Sequence, residues 1–414
     1  MACLALASLP ITDAATAAPY SPENPIALTQ SRWTSFPPGP LSARTQEAAV
    51  WTGSDFLIWG GQSVSGQTGC PCSTNMLGNG ALFDPRTGKW TAIAKSPLTP
   101  RDGVASVWTG HVALMWGGQT EDTASNPVDS NGGAVFDPST GRWSSIPTAP
   151  LLPRFDATGI WTGKEAIFIG GNSPPGATAS STSYGVDLDA AAYDPATRHW
   201  ARLPDLPTKG LGSALSLTAV WTGHELITWS SFQTTTAVGD KGEQIRNRQL
   251  GAEWMPGRRS WKALLSPPDS IVTAGGTSSW LDRRDVVIGG SGCVGAMSCP
   301  APITSTAEFF NPANNTWQLG PEAPIFIRPD LIVSTGTALV LINESTEISG
   351  PNLHFSPGDG TLFEPTKRTI PSLPAVPRDI IGPSSSLIWT GHSLLMWGVT
   401  GDSTRTFGLQ LSEQ

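Results

Sequence analysis

The sequence predicts an all-β fold, a seven-bladed β-propeller closed by an N-terminal strand that completes the last blade. Three observations predict it. A phrase returns about every fifty to sixty residues, the period of a propeller or an array. It reads Val50-Trp51-Thr52-Gly53, Val107-Trp108-Thr109-Gly110, Ile160-Trp161-Thr162-Gly163, Val220-Trp221-Thr222-Gly223 and Ile388-Trp389-Thr390-Gly391, with degenerate copies at Trp280-Leu281-Asp282 and Ser334-Thr335-Gly336. Composition agrees: Gly (45) and Pro (37) are abundant while only 14% of residues are charged, as suits many short strands and tight turns. The chain ends supply the third. The last repeat lacks a fourth strand, and Arg32-Trp33-Thr34-Ser35-Phe36-Pro37 copies that missing strand ahead of the first repeat. A strand lent from one terminus to the other closes a ring and hides its edges.

Each element of a repeat follows from local chemistry, and the second shows the order. Val104 to Trp108 forms a strand, and Thr109-Gly110-His111 a tight turn where Gly permits positive φ. Val112 to Trp116 is a continuous apolar strand, expected where both faces are buried. Gly117-Gly118 ends it at a close backbone approach, and a polar loop runs from Gln119 to Asn131. Gly133 to Phe136 is the third strand, Asp137-Pro138-Ser139-Thr140-Gly141 a turn, and Arg142 to Ile146 the fourth strand. No stretch of helical periodicity interrupts this order.

The first and third repeats follow it closely, with Trp59-Gly60-Gly61 and Asp84-Pro85 to Trp90, then Ile169-Gly170-Gly171 and Asp194-Pro195 to Trp200. Paired Gly after the second strand, a turn, and Trp on the fourth strand together resemble the kelch repeat, over about the whole chain after residue 30. A single propeller over residues 31–414 is therefore expected, behind a leader at 1–18. All 17 tryptophans occupy periodic strand positions, so they read as packing between sheets and not as a ligand platform.

Composition excludes several partners. The formal charge is −8 without a Lys/Arg run, so neither nucleic acid nor insertion in a membrane is expected. The opening Met1 to Ala18 pairs an apolar stretch with an Ala-Thr-Ala step, which resembles a secretory signal lacking its basic start. It predicts a secreted or periplasmic protein. Without Cys3, the cysteines left are Cys70 and Cys72 in one loop and Cys293 and Cys299 in another. They are read as disulfides with three possible pairings, Cys293 to Cys299 being the easiest local closure. A zinc site would need two distant loops to meet.

Long connections share one face, roughly 62–79, 119–131, 172–189, 230–249, 290–304 and 343–359, and the short Thr-Gly and Asp-Pro turns share the other. Function is expected on the long-loop face. Arg44, Arg101, Arg154, Arg328 and Arg378 recur there just before first strands, with Asp102, Asp156, Asp330 and Asp379 close behind. Guanidinium groups converging on the channel mouth would suit an anionic glycan, sugar or peptide, since their planar forks hold carboxylates bidentately. The competing reading is that each Arg serves its own repeat. The fourth repeat differs, with Lys209-Gly210-Leu211 in place of Pro-Arg. Its charged loop offers Glu243, Arg246 and Arg248 as a proton-transfer residue beside an anion clamp.

No metal and no cofactor is expected. Four of five histidines (His111, His199, His224, His392) lie in short turns, leaving His354 on a long loop. Galactose oxidase-like enzymes share the kelch fold, but their copper needs two histidines, two tyrosines and a cross-linked cysteine, which Tyr20, Tyr184 and Tyr193 do not support. No Gly-x-Ser-x-Gly elbow, phosphate loop or dinucleotide fingerprint is present. Two functions follow: a monomeric binding propeller with a small-molecule, glycan or peptide ligand, or, as the resemblance implies, a cofactor-free carbohydrate enzyme similar to N-acetylneuraminate epimerase.

Overall fold

A computed structural model of the chain describes residues 25–63, 75–121, 127–173, 185–237, 243–266, 277–281, 283–288, 306–322, 331–342, 348–350, 353–355, 359–364, 367, 371–377, 386–399 and 406–412. The fold is an all-β propeller. Among the described residues the only helical segment is a short 3-10 turn, Pro25–Gln30.

Six four-stranded antiparallel sheets each fold from one continuous stretch, beginning with the innermost strands Ala48–Trp51, Ala105–Trp108, Thr158–Trp161, Ser213–Trp221, Thr277–Leu281 and Leu331–Ser334. The expected seven repeats thus become six continuous blades plus a composite sheet. That sheet takes Ser386–Trp389, Leu394–Val399 and Thr406–Ser412 from one end of the chain and Arg32–Ser35 from the other. The added strand runs antiparallel, with Arg32 opposite Ser412 and Ser35 opposite Leu409. Each innermost strand touches the next, and the circle returns from Ser386–Trp389 to Ala48–Trp51.

Three sequence devices explain the blade. In the Trp-Thr-Gly turn, Thr52 Oγ1 accepts from the Asp55 amide at 2.9 Å and donates to the Asp55 carbonyl at 3.0 Å. Thr109, Thr162 and Thr335 do the same three residues along, so the hydroxyl ties both strands of the hairpin. In the Asp-Pro turn, Asp84, Asp137 and Asp194 accept from the amide two residues on, as Asx turns do. Indole N–H groups then join neighbouring blades. Trp90 donates to the Pro37 carbonyl at 3.0 Å, Trp143 to Ala94 at 2.9 Å, Trp200 to Pro147 at 2.8 Å, Trp261 to Pro204 at 2.7 Å and Trp317 to Leu265 at 2.8 Å. Trp33 of the composite sheet donates to Pro374 at 2.8 Å. The outer tryptophans therefore act as bolts between sheets.

The fourth blade departs from the expected long loop. Leu226–Ala237 and Glu243–Trp254 form one continuous ladder of paired strands. The first three blades end their second strand at Gly-Gly with positive φ, as at Gly60 (74°) and Gly61 (93°). Ser230 and Ser231 replace that pair, and without the left-handed kink the ladder continues. Shorter hairpins also occupy parts of the other connections: Gln119–Glu121 pairs with Pro127–Asp129, and Ile348–Gly350 with Leu353–Phe355.

Candidate functional site at the long-loop mouth

Segments entering the innermost strands meet the starts of the long loops on one face. Arg44–Thr45 pairs with Gln62–Ser63, and Asp102 and Phe155 bridge Gln119 and Asn172. Gln46, Gly103 and Asp156 hold equivalent places, all left-handed with φ of 58°, 57° and 54°. Their backbones link blade to blade: the Gly103 amide donates to the Gln46 carbonyl at 3.2 Å, and the Asp156 amide to the Gly103 carbonyl at 2.8 Å.

The arginines face inward. Arg44, Arg101 and Arg154 are all buried, and none presents a free fork to the channel. Arg101 Nη1 donates to the Gly117 carbonyl at 2.9 Å and Ser130 Oγ at 3.0 Å, while Nε and Nη2 hold the carbonyl and hydroxyl of Thr99. Arg44 reaches the Gly60 and Asn79 carbonyls, and Arg154 the Gly170 carbonyl. The carbonyl exposed by each Gly-Gly kink thus finds its donor in the same blade. The interlock is reciprocal, because the Gly61 amide donates to the Arg101 carbonyl and the Gly118 amide to the Arg154 carbonyl, each at 2.9 Å. A Cβ on Gly60 would stand 2.8 Å from the Arg101 carbonyl oxygen, so this approach requires glycine. Burial pulls Arg44 and Arg101 down to about 10, still charged at neutral pH.

Carboxyl groups remain. Asp102 accepts from Gln62 Nε2 of the preceding blade, and Asp129 Oδ1 accepts from Gln119 Nε2 at 2.9 Å. Asp156 is 7% exposed, and its Oδ2 has no hydrogen-bond partner. Its carboxyl lies over Gly103, where a Cβ would stand 2.9 Å from Oδ1. Burial first, then repulsion from Asp102 and Asp129, pushes Asp156 up to about 7. Burial pushes Asp102 up to about 6 against the pull of the Gln62 bond, with Asp129 and Glu121 adding repulsion. Glu47, which accepts from Ser386 Oγ at 3.1 Å across the seam between the first and last sheets, is pushed by burial up to about 7. Asp187 is also raised by burial, although Arg154 opposes this. Asp102, Asp156 and Glu47 can therefore hold or release a proton near neutrality.

A concavity of about 370 Å³ opens on the short-turn face between the second and third blades. Val135, Ile146, Trp161 and Tyr193 line it, with His111 and Arg198 among its other residues. Arg198 Nη2 is already bonded to the Ser145 carbonyl at 2.9 Å, and no lining side chain is among the buried groups left without a partner. Its lining suits packing, and the titratable chemistry gathers at the opposite mouth.

No family model matches the chain. Among curated proteins, the kelch-like protein terF of Aspergillus terreus is 22% identical over 330 residues, covering 75% of this chain and 64% of the relative. Among solved structures, that of YjhT superposes with a TM-score of 0.51 at 15% identity, over 82% of this chain and 99% of that one. The chain has the fold of a kelch-type β-propeller.

The kelch frame shows which expected site residues meet. Asp102 and Asp156 come together from adjacent blades, whereas Arg44, Arg101 and Arg154 stay within their own, against the expected convergence of guanidinium groups. The Asp next in sequence is not their partner either: Arg154 pairs with Asp189 at 2.7 Å and Asp187 at 3.4 Å. Glu243, Arg246 and Arg248 are strung along one hairpin strand, opposite Ala237, Thr234 and Phe232. At about 3.3 Å per residue the first and last are about 16 Å apart, so they do not form the compact cluster expected of a loop. Arg248 is exposed and reaches the Gly210 carbonyl at 3.5 Å, while the side chains of Glu243 and Arg246 lie outside the described residues. Arg328, Arg378, Asp330, Asp379, Cys70, Cys72, Cys293 and Cys299 also lie outside them.

Sequence reasoning missed Glu47, Asp129, Asp187 and Glu308. Glu47 carried a signal, standing three residues after Arg44. Glu308 stands where the first three blades have Ala81, Ala134 and Ala191, and it is buried with both carboxylate oxygens unpartnered and its carboxyl pushed by burial up to about 7. One further device shows in the arginine set. Two residues before Arg44 and Arg101 stand Ser42 and Thr99, whose hydroxyls take Nη2; the equivalent residue for Arg154 is Leu152, 41% exposed, and Arg154 Nη2 has no partner. Leu152→Thr is therefore expected to stabilise the protein by about 1 kcal/mol. Thermal melts should show a small rise, and an unchanged or lower Tm would refute the missing-acceptor account.

Proposed function

We propose that this protein is a secreted, seven-bladed ligand-binding propeller, the composite sheet serving as its seventh blade. Its ligand is a glycan, sugar or peptide held at the long-loop mouth. The observation that carries this reading is Asp156, a buried carboxyl with an unpartnered oxygen, gathered with Asp102 and Asp129 where innermost strands begin. The Arg44 and Arg101 charges are engaged within their blades, whereas Arg154 Nη2 and the Glu308 carboxyl keep buried atoms without partners; what distinguishes Asp156 is its place at the mouth. An unsatisfied carboxyl at a mouth is a group waiting for a donor. Because the described guanidinium forks are engaged, ligand hydroxyl or N–H groups bonding to carboxylates replace the anion clamp. Export would fit oxidised cysteines, which a thiol count under denaturing, non-reducing conditions tests: four free thiols in mature protein would reverse it.

A glycan and peptide screen on the leaderless protein tests the site. Affinity for a mouth ligand should fall at least about tenfold in Asp156→Asn, the loss of one charge-assisted hydrogen bond. Asn tolerates the left-handed backbone, so the fold should survive. A hit that survives Asp156→Asn but is lost in Val135→Leu, which adds bulk to the opposite cavity and matches Leu82 at the equivalent place in the first blade, would move the site to the other face. A second reading, the cofactor-free carbohydrate enzyme, is favoured by carboxyls poised near 7 at the mouth. It requires faster exchange between the anomeric forms of an acidic sugar, followed by NMR and abolished by Asp156→Asn or Glu47→Gln. Binding without exchange leaves the protein a binder.

A further inference from the structure

We infer that the mouth between the first three blades selects a ligand bearing an aliphatic ammonium group, seated against Asp102, Asp129 and Asp156. The inference rests on reading this mouth as the ligand site and adds the charge of what enters it.

Geometry carries it. Asp102 and Asp129 belong to the second blade, each tied by one amide hydrogen bond, to Gln62 and Gln119. Asp129 Oδ2 remains unpartnered. Asp156 arrives from the third blade, over 90% buried, with Oδ2 unpartnered and Oδ1 only 2.9 Å from where a Cβ on Gly103, the neighbour of Asp102, would stand; Asp102 in turn bridges Gln119, which pairs with Asp129. The neighbouring arginines are bonded inside their own blades, with Arg154 Nη2 left unpartnered there. Arg101 is bonded to Gly117, Ser130 and Thr99, and Arg154 to Gly170, Asp187 and Asp189. Glu121 adds further negative charge beside Asp102. Among the described residues no three of these groups are arranged to hold a metal ion. An ammonium needs less: one compact charge with three N–H donors, matching separate acceptors. The protein's net charge of −8 would draw such a ligand in from a distance.

The state of the carboxyls sets the pH dependence. The groups facing Asp156 are Asp102 and Asp129, and those facing Asp102 are Asp156, Asp129, Glu121 and the Gln62 amide. Because Asp102 and Asp156 titrate higher in the folded than in the unfolded chain, their contribution to stability is fully present below the ordinary carboxylate range. It is lost as pH rises through about 6 to 7. The empty protein should thus be less stable at pH 8 than at pH 5, and an ammonium should restore stability at pH 8 by neutralising the ionised cluster.

The probe is spermidine, with maltotriose as a neutral polyhydroxyl counterpart, in 0.15 M salt to screen diffuse attraction. Calorimetry and thermal melts at pH 5 and 8 give the readout. Spermidine should bind at least about tenfold more tightly at pH 8, raise Tm there, and lose at least tenfold in affinity in Asp156→Asn. Asp102→Asn should flatten the pH dependence as well. Spermidine binding that is unchanged in both variants overturns the inference, since the cation would then be held by the general acidity of the surface. Maltotriose binding that depends on Asp156, with none for spermidine, overturns the ammonium inference and leaves the mouth site standing. If neither probe depends on Asp156 while another ligand is lost in Val135→Leu, the mouth reading falls and the inference with it.

Discussion

Removal of residues 1–37 should lower Tm by about 10 °C or more and drive aggregation. The cut takes away Arg32–Ser35, which forms the outer edge of the composite sheet, and leaves Thr406–Ser412 with an unpaired edge. It also removes the Trp33 bond to Pro374 and Leu28, which is buried with the core of the sixth and composite sheets. Phe36 goes too: its ring stacks on Phe83 at 3.9 Å and its amide donates to the Gly408 carbonyl at 2.7 Å. Burial of each large apolar side chain contributes about 1.5–3 kcal/mol, so the loss rivals a typical total stability of about 5–15 kcal/mol. The exposed edge then offers a template for pairing between chains. A peptide spanning residues 25–37, added in trans, should restore part of the lost Tm. An unchanged melting temperature in the truncated protein would show that the terminal strand does not close the ring.

Arg101→Ala should cost roughly 2–3 kcal/mol, from the buried Gly117 carbonyl left without its charged donor and the partly buried bonds lost with it. The Gly117 carbonyl, Ser130 Oγ and both Thr99 oxygens lose their guanidinium donor together. Each buried acceptor left without a donor costs about 1–3 kcal/mol. Arg101→Lys should recover only part of this, because an ammonium cannot reproduce the planar fork. Urea denaturation measures the loss, and ligand affinity, compared under conditions where the variant remains folded, separates the two roles. A variant with full stability that loses an anionic ligand would reverse the structural assignment and return the arginines to the channel. Asp156→Asn should behave oppositely, keeping the fold while losing affinity.

Blade grammar was legible in the sequence because it is local chemistry. Thr52 needs only Asp55, and Asp84 only Arg86, to make their turns. The fourth-blade hairpin was readable too, in Ser230-Ser231 where Gly-Gly stands elsewhere, once the kink's dependence on positive φ is seen. The site was less legible. Spacing placed Arg101 before an innermost strand but held no information on which way its fork turned. That depended on where the Gly-Gly kink aimed the Gly117 carbonyl.

By itself the sequence determined that this chain repeats one four-stranded unit and borrows its last outer strand from its N-terminus. Both follow from hydrophobic period and turn residues, which act over a few positions. Only the tertiary structure decided that Arg44, Arg101 and Arg154 are turned into their own blades and that Asp102, Asp129 and Asp156 gather at one mouth. Asp102 and Asp156 belong to different repeats, and they repel only because neighbouring blades pack side by side and exclude water. Burial and proximity across blades set the charge of this site, and neither is written in the spacing of any single repeat.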